Sequence, residues 1–90
     1  MKKNYKQLER IVRGFSNHRR IQMLETLHNR PETDLRTLAA ACGVNFKTAS
    51  DHAKRLAIAG LVLKRAKGAH VLHALSSRGK TILVFLRTLE

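Results

Sequence analysis

The chain has no tryptophan, one tyrosine and three phenylalanines, so its core must be filled by aliphatic side chains and it offers no platform for stacking single-stranded bases. A single cysteine, Cys42, excludes an internal disulfide and supplies neither a thiolate cluster for zinc nor an implied catalytic nucleophile. The longest apolar run, ILVFL at 82–86, is too short to span a bilayer, and the opening MKKNYKQLER lacks the apolar region of a signal peptide. The expected location is therefore the cytoplasm, with nucleoid association when bound to DNA. Proline occurs once, at Pro31. Acidic residues are scarce, 6 against 18 lysines and arginines, and the net charge of +12 creates a field that attracts polyanions.

Ninety residues suit one small domain that buries roughly 60 to 65% of its unfolded surface, so one domain over 1–90 is expected. The expected class is mainly α with a small β-hairpin, about five helices and a two-stranded wing. Tyr5, Leu8, Ile11, Val12 and Phe15 recur on one stripe of a first helix, with Lys6, Glu9, Arg10 and Arg13 around the rest. With Lys2 and Lys3 these make a basic amino end that either reaches flanking DNA or, as favoured here, is simply solvated. Gly14 sits near the end of the first helix. Ser16 or Asn17 caps a second, whose apolar residues are Ile21, Leu24 and Leu27 with Met23 flanking, and Pro31 follows it.

The segment from Asp34 to Leu61 reads as helix, tight turn, helix: DLRTLAAAC, GVN, FKTASDHAKRLAIAGL. Asp34 is the expected N-cap, and Leu35, Leu38, Ala39 and Cys42 the buried side. Ala39, Ala40 and Ala41 let the next helix cross closely, Gly43 takes a positive φ, and Val44 plugs the turn into the core. Asn45 caps the second helix of the pair. At about 100° per residue, Ala49, Ala53 and Leu56 face inward while Lys47, Ser50, Asp51 and Lys54 fan across the opposite side. In a basic chain this pattern points to a helix-turn-helix spanning 34–60 whose second helix enters a DNA groove.

Beyond Gly60 the period changes to two. LVL and VLHAL flank a basic, glycine-bearing KRAKGAH, a β-hairpin over 61–75 with Val62 and Val71 packed on the helices and Lys64, Arg65 and Lys67 projecting from the tip. Beside a helix-turn-helix, such a hairpin is a wing. Ser76 or Ser77 caps a last helix over 77–89, with Ile82, Phe85, Leu86 and Leu89 on one stripe and Leu83 and Val84 well outside it. Apolar around much of its circumference, that helix calls for a second surface, and a second copy of the chain would supply one.

SNHRRIQMLETL at 16–27, LAAACGVNFKTASDHAKRLAIAGLV at 38–62 and KRAKGAHVLHAL at 64–75 resemble the winged helix-turn-helix of the arsenic-repressor-like (ArsR-type) regulators, and the MarR and PadR groups are similar. The residues carrying the resemblance are Arg20 with Ile21, Leu38 with Ala39, Gly43 with Val44, Thr48, His52, Leu56 and Ala59 to Val62. It implies a dimeric DNA-binding transcription regulator, with Asn45 to Arg55 in the major groove and the wing along the backbone or minor groove. Metal-sensing members carry cysteine pairs near the reading helices or ligands on the terminal helix. Here only Cys42 is present and 77–89 holds no His, Asp or Cys, so that role is not carried over.

The expected DNA-binding residues are Asn45, Phe46, Lys47, Thr48, Ser50, Asp51, Lys54 and Arg55 on the recognition helix and Lys64, Arg65 and Lys67 on the wing. Asn45 and Thr48 cap the helix, meet a phosphate, or do both. Phe46 touches a thymine methyl or sugar, or is partly buried. Asp51 accepts from a cytosine amino group or pairs with Lys47 one turn earlier, and the pair is favoured. The expected dimer interface comprises Tyr5, Leu8, Val12, Leu83, Val84 and Leu86. His70 and His73, three apart on a strand, point to opposite faces, and His18, His28 and His52 belong to separate elements, so neither metal nor cofactor is expected. Cys42 reads as a small core residue, with redox sensing as the weaker alternative.

The expected partners are double-stranded DNA and a second copy, with no membrane and no small-molecule substrate. The function is then a sequence-specific repressor rather than an enzyme. A protein-interaction module of a larger assembly and a sequence-independent nucleic-acid-binding protein are the alternatives.

Overall fold

Asparagine, aspartate and serine side chains start the helices of this computed structural model, which describes residues 4–90; Lys2 and Lys3 lie outside the described residues. Asn4 accepts from the Gln7 N–H and opens α1 (Tyr5–Phe15). Asn17, not Ser16, accepts from the N–H groups of Arg19 and Arg20 and opens α2 (His18–Asn29). Asp34 opens α3 (Leu35–Cys42) by accepting from Thr37 at 2.8 Å, and Asn45 opens α4 (Phe46–Ile58) by accepting from Thr48 at 2.8 Å. Ser76 opens α5 (Ser77–Arg87) by accepting from Gly79, while its hydroxyl donates to the Gly60 carbonyl at the end of α4. Each cap satisfies N–H groups that the helix itself leaves free.

Three strands form one antiparallel sheet in the order β1-β3-β2 among the described residues. β2 (Val62–Lys67) and β3 (His70–Leu75) are the hairpin, joined through Gly68 and Ala69. β1 (Thr33–Asp34) pairs with β3, Thr33 opposite His73 and Asp34 opposite Leu72, and adds a third strand beside the expected two-stranded wing. A two-residue strand has no period to detect, and the cap of α3 doubles as its second residue.

α2 is the centre of the core. It supplies three of the fully buried large side chains, Met23, Leu24 and Leu27, and packs against α1, α3, α4, α5 and β3. Leu38, Cys42, Leu56 and Leu61 complete the set, each aliphatic side chain contributing about 1.5 to 3 kcal/mol on burial. Met23 is thus central rather than flanking. Ala49 and Ala53 bring α4 close to its neighbours, as the inward series predicts. α1 crosses the end of α4 at Gly14, where a Cβ would collide with that of Ala59.

Two expected apolar faces are turned. On α5, which ends at Arg87 and not at the expected 89, Leu83 is buried while Phe85 is 51% exposed and Leu89, beyond the helix, 67% exposed, so the expected stripe is rotated. Gly79 explains it: packed against the Leu61 carbonyl, it starts an inward stripe with Ile82, Leu83 and Leu86 at i, i+3, i+4 and i+7. On the hairpin, Val62 is buried but Val71 is about half-exposed. Val71 sits opposite Ala66, out along the wing, and His73 and Leu75 occupy the buried positions nearer the helices.

Candidate nucleic-acid interface

The turn between α3 and α4 is held by Gly43, whose φ of +68° lets its N–H return to the Ala39 and Ala40 carbonyls. Val44 packs against the core, and Arg19 donates to the Cys42 carbonyl at 3.1 Å, placing positive charge at the negative end of α3. The start of α4 is thereby aimed outward from a rigid base. Lys47, Asp51 and Lys54 are exposed on it, Ser50 and Thr48 are half-buried, and Asn45 is exposed at the cap.

Asp51 forms no ion pair among the described residues, so the expected bond to Lys47 is absent. Phe46 is half-exposed, with the Arg36 guanidinium 5.8 Å from its ring centroid. That is within cation–π range and adds a cation from α3 beside the start of α4. Nothing in helical spacing marks Arg36, because the contact joins two different helices. A groove of about 510 Å³ links this corner to the wing, with Arg36 and Phe46 on one wall and Lys64, His70 and Val71 on the other.

The three wing cations do not share one face of the hairpin. The register sets Lys64 opposite His73, Arg65 opposite Leu72 and Lys67 opposite His70, so Lys64 projects from one face and Arg65 and Lys67 from the other. Arg65 is also engaged, donating to the Glu32 carboxylate at 3.0 Å. Arg55 lies apart from the outward face of α4: it lines a groove against α1 with Arg10 and Arg13.

His52 is a packing residue between α2 and α4. Arginine has no acceptor, so Nη1 of Arg20 donates to Nδ1 of His52 at 3.3 Å and the imidazole carries its proton on Nε2. Burial, then the positive charge of Arg20, holds its pKa below the ordinary value. His73 is likewise held low by burial, while its Nδ1 donates to the Thr33 carbonyl. Asp34 is held below the usual carboxylate range by the Thr37 N–H. His70 and Asp34 approach to 3.9 Å, and no group of three candidate metal ligands occurs among the described residues.

Tyr5, Leu8 and Val12 form one exposed stripe on α1, 74%, 53% and 52% exposed. The exposed apolar residues at the other end of the chain are Val84 and Phe85 on α5 and Leu89 just beyond it. Leu83 is buried in the protomer's own core and Leu86 is partly so, which removes Leu83 from the expected interface and leaves Leu86 a minor share. No described helix is long and apolar enough to cross a membrane.

Caps, turn and hairpin together define a winged helix-turn-helix. No family model and no curated protein matches the chain. Solved structures do. The homodimeric winged helix-turn-helix DNA-binding domain of Mb0332 from Mycobacterium bovis, a possible ArsR-family transcriptional regulator, is 26% identical with a TM-score of 0.86 over 94% of this chain and 79% of its own. HlyU from Vibrio cholerae is 27% identical, TM-score 0.83, over 99% and 97% of the two chains. The transcriptional regulator HlyU from Vibrio vulnificus is 29% identical, TM-score 0.76, over 96% and 90%. The chain thus resembles winged-helix regulators of the ArsR type over nearly its whole length.

Proposed function

We propose that the chain is a sequence-specific, double-stranded DNA-binding transcription regulator that acts as a homodimeric repressor in the cytoplasm and performs no chemistry. The observation that carries this reading is the outward face of α4. Lys47, Ser50 and Lys54 occupy it at the free end of a well-capped helix, and a basic wing lies beside it. Those three side chains are the proposed base-contacting set, and Asp51, free of Lys47, is the proposed acceptor for a cytosine amino group. Asn45, Thr48 and Arg36 would hold a phosphate at the start of the helix, and Phe46 a sugar or thymine methyl.

Lys64, Lys67 and Arg65 would neutralise backbone phosphates, Arg65 after leaving Glu32. The exposed stripe Tyr5–Leu8–Val12 on α1 and the patch of Val84 and Phe85 on α5 with Leu89 just beyond it are the proposed dimer surface, in keeping with the homodimeric domain of Mb0332. Two recognition helices about 34 Å apart would then read a near-palindromic operator. Fluorescence anisotropy across salt concentrations is the test. Lys47→Ala with Lys54→Ala should abolish preference for the selected duplex, whereas Lys64→Ala with Lys67→Ala should weaken all duplexes and flatten the salt dependence. Parental binding by both double variants contradicts the reading.

A further inference from the structure

We infer that the groove where α1 crosses the last turn of α4 is a binding site for a small organic anion carrying at least two negative charges. The groove, about 460 Å³, is lined by Arg10 and Arg13 of α1, Arg55 of α4 and Arg78 of α5, with Ile11 and Ile58 as its apolar wall. That volume suits a small molecule, and an apolar wall with convergent polar groups is how such sites are built. Four arginines from three helices line it.

Their charge is poorly compensated. Among the described residues one carboxylate reaches them, Glu9, an exposed partner 3.7 Å from Arg13. Arg78 donates once, to the Ala59 carbonyl at 3.1 Å, and keeps the remaining donors of its fork. Behind Arg55 stands Arg20, whose buried Nε has no partner and whose pKa is lowered by burial and by the Arg55 charge, so the protein interior adds positive potential instead of cancelling it. A multivalent carboxylate or phosphate relieves this repulsion, and guanidinium forks match the paired oxygens of both. Ile11 and Ile58 favour an anion with a carbon body over an inorganic one.

The groove is distinct from the surfaces assigned above. On α1 it uses the stripe Gln7, Ile11, Gly14 at i, i+4 and i+7, not Tyr5, Leu8 and Val12. On α4 it uses the C-terminal end, away from Phe46 and Lys47.

The test needs no DNA. Benzene-1,3-dicarboxylate is titrated into the full chain by calorimetry and by amide-resolved NMR, with benzoate and inorganic phosphate as comparison probes. The expected result is saturable binding, one per chain, with shifts centred on Ile11, Gly14 and Ile58 and affinity at least about tenfold above either comparison probe. Arg10→Gln with Arg55→Gln should weaken it about tenfold or more, whereas Arg30→Gln with Lys80→Gln, which removes two exposed charges elsewhere, should leave it within about twofold. Ile58→Glu is a second disabling variant at a side chain 77% exposed, so its effect does not depend on the arginine variants folding. Equal weakening by both charge pairs, or shifts scattered over the basic surface, would show general attraction by net charge and overturn the site.

Discussion

Arg20 reaches from α2 to α4 and donates to Nδ1 of His52 at 3.3 Å, while its other terminal nitrogen donates to the Arg13 carbonyl at the end of α1. One guanidinium thus joins three helices at the base of the proposed reading helix. Truncating His52→Ala strands that partly buried donor and should cost about 1 to 2 kcal/mol in urea unfolding. His52→Gln, which restores an acceptor, should recover part of the loss; equal stability of the parent and the alanine variant would show the bond to be dispensable.

His52 and a second histidine, His73, set a pH dependence. His52 and His73 are both held below their ordinary pKa, by burial first, so the unfolded chain binds protons that the folded chain refuses. Stability is therefore full above the ordinary histidine value of 6.5 and falls as pH drops below it toward the folded values. Thermal melts from pH 7.5 to 5 should show a falling Tm, and the double variant His52→Gln, His73→Gln a flatter profile. A Tm that rises on acidification would contradict this assignment.

Gly14 and Ala59 leave no room for a side chain between α1 and α4. Gly14→Ala gains up to about 1 kcal/mol of helix propensity but incurs about 1 to 3 kcal/mol of overpacking, so a net loss of stability is expected. Combining it with Ala59→Gly, which opens the same space, should recover the overpacking cost. Purely additive losses in the double variant would mean the two positions do not meet.

Glu32 restrains Arg65, and the pair is roughly half-exposed. Glu32→Gln should change stability by less than about 1 kcal/mol. It should strengthen duplex binding and steepen the salt dependence by about 1.8 in slope for the dimer, about 0.9 for the phosphate contact each subunit gains. An unchanged slope would show that Arg65 does not reach the backbone.

The dimer surface is tested by charge. Leu8→Glu with Val84→Glu places carboxylates on two exposed apolar stripes without touching the core. Sedimentation should show monomers that keep the parental circular dichroism spectrum. Persisting dimers would place the interface elsewhere.

What was legible in the sequence was what local chemistry dictates. Asp34, Asn45 and the Ala49–Ala53–Leu56 series each announce themselves within a few residues, by a capping side chain before a periodic run or by the period itself. The change to period two marked the hairpin for the same reason. Features that depend on two distant segments were not legible: Arg20 with His52 and Arg65 with Glu32 are 32 and 33 residues apart, and no spacing encodes them. The packed face of α5 is hidden in the sequence because Gly79, with no side chain, carries no hydrophobic signal, yet its lack of Cβ decides which face packs. The Asp51–Lys47 pair is favoured in the sequence by the repulsion of a lone carboxylate from phosphates and by i, i+4 spacing, which permits a contact without enforcing it.

Selection of bound duplexes from a random pool tests the central claim most directly, because it reads binding, sequence preference and half-site spacing together. The account predicts an enriched near-palindrome with half-sites about one helical turn apart, about 34 Å centre to centre, lost when Lys47 and Lys54 are replaced by alanine. Recovery of no enriched motif by the parental protein would contradict it.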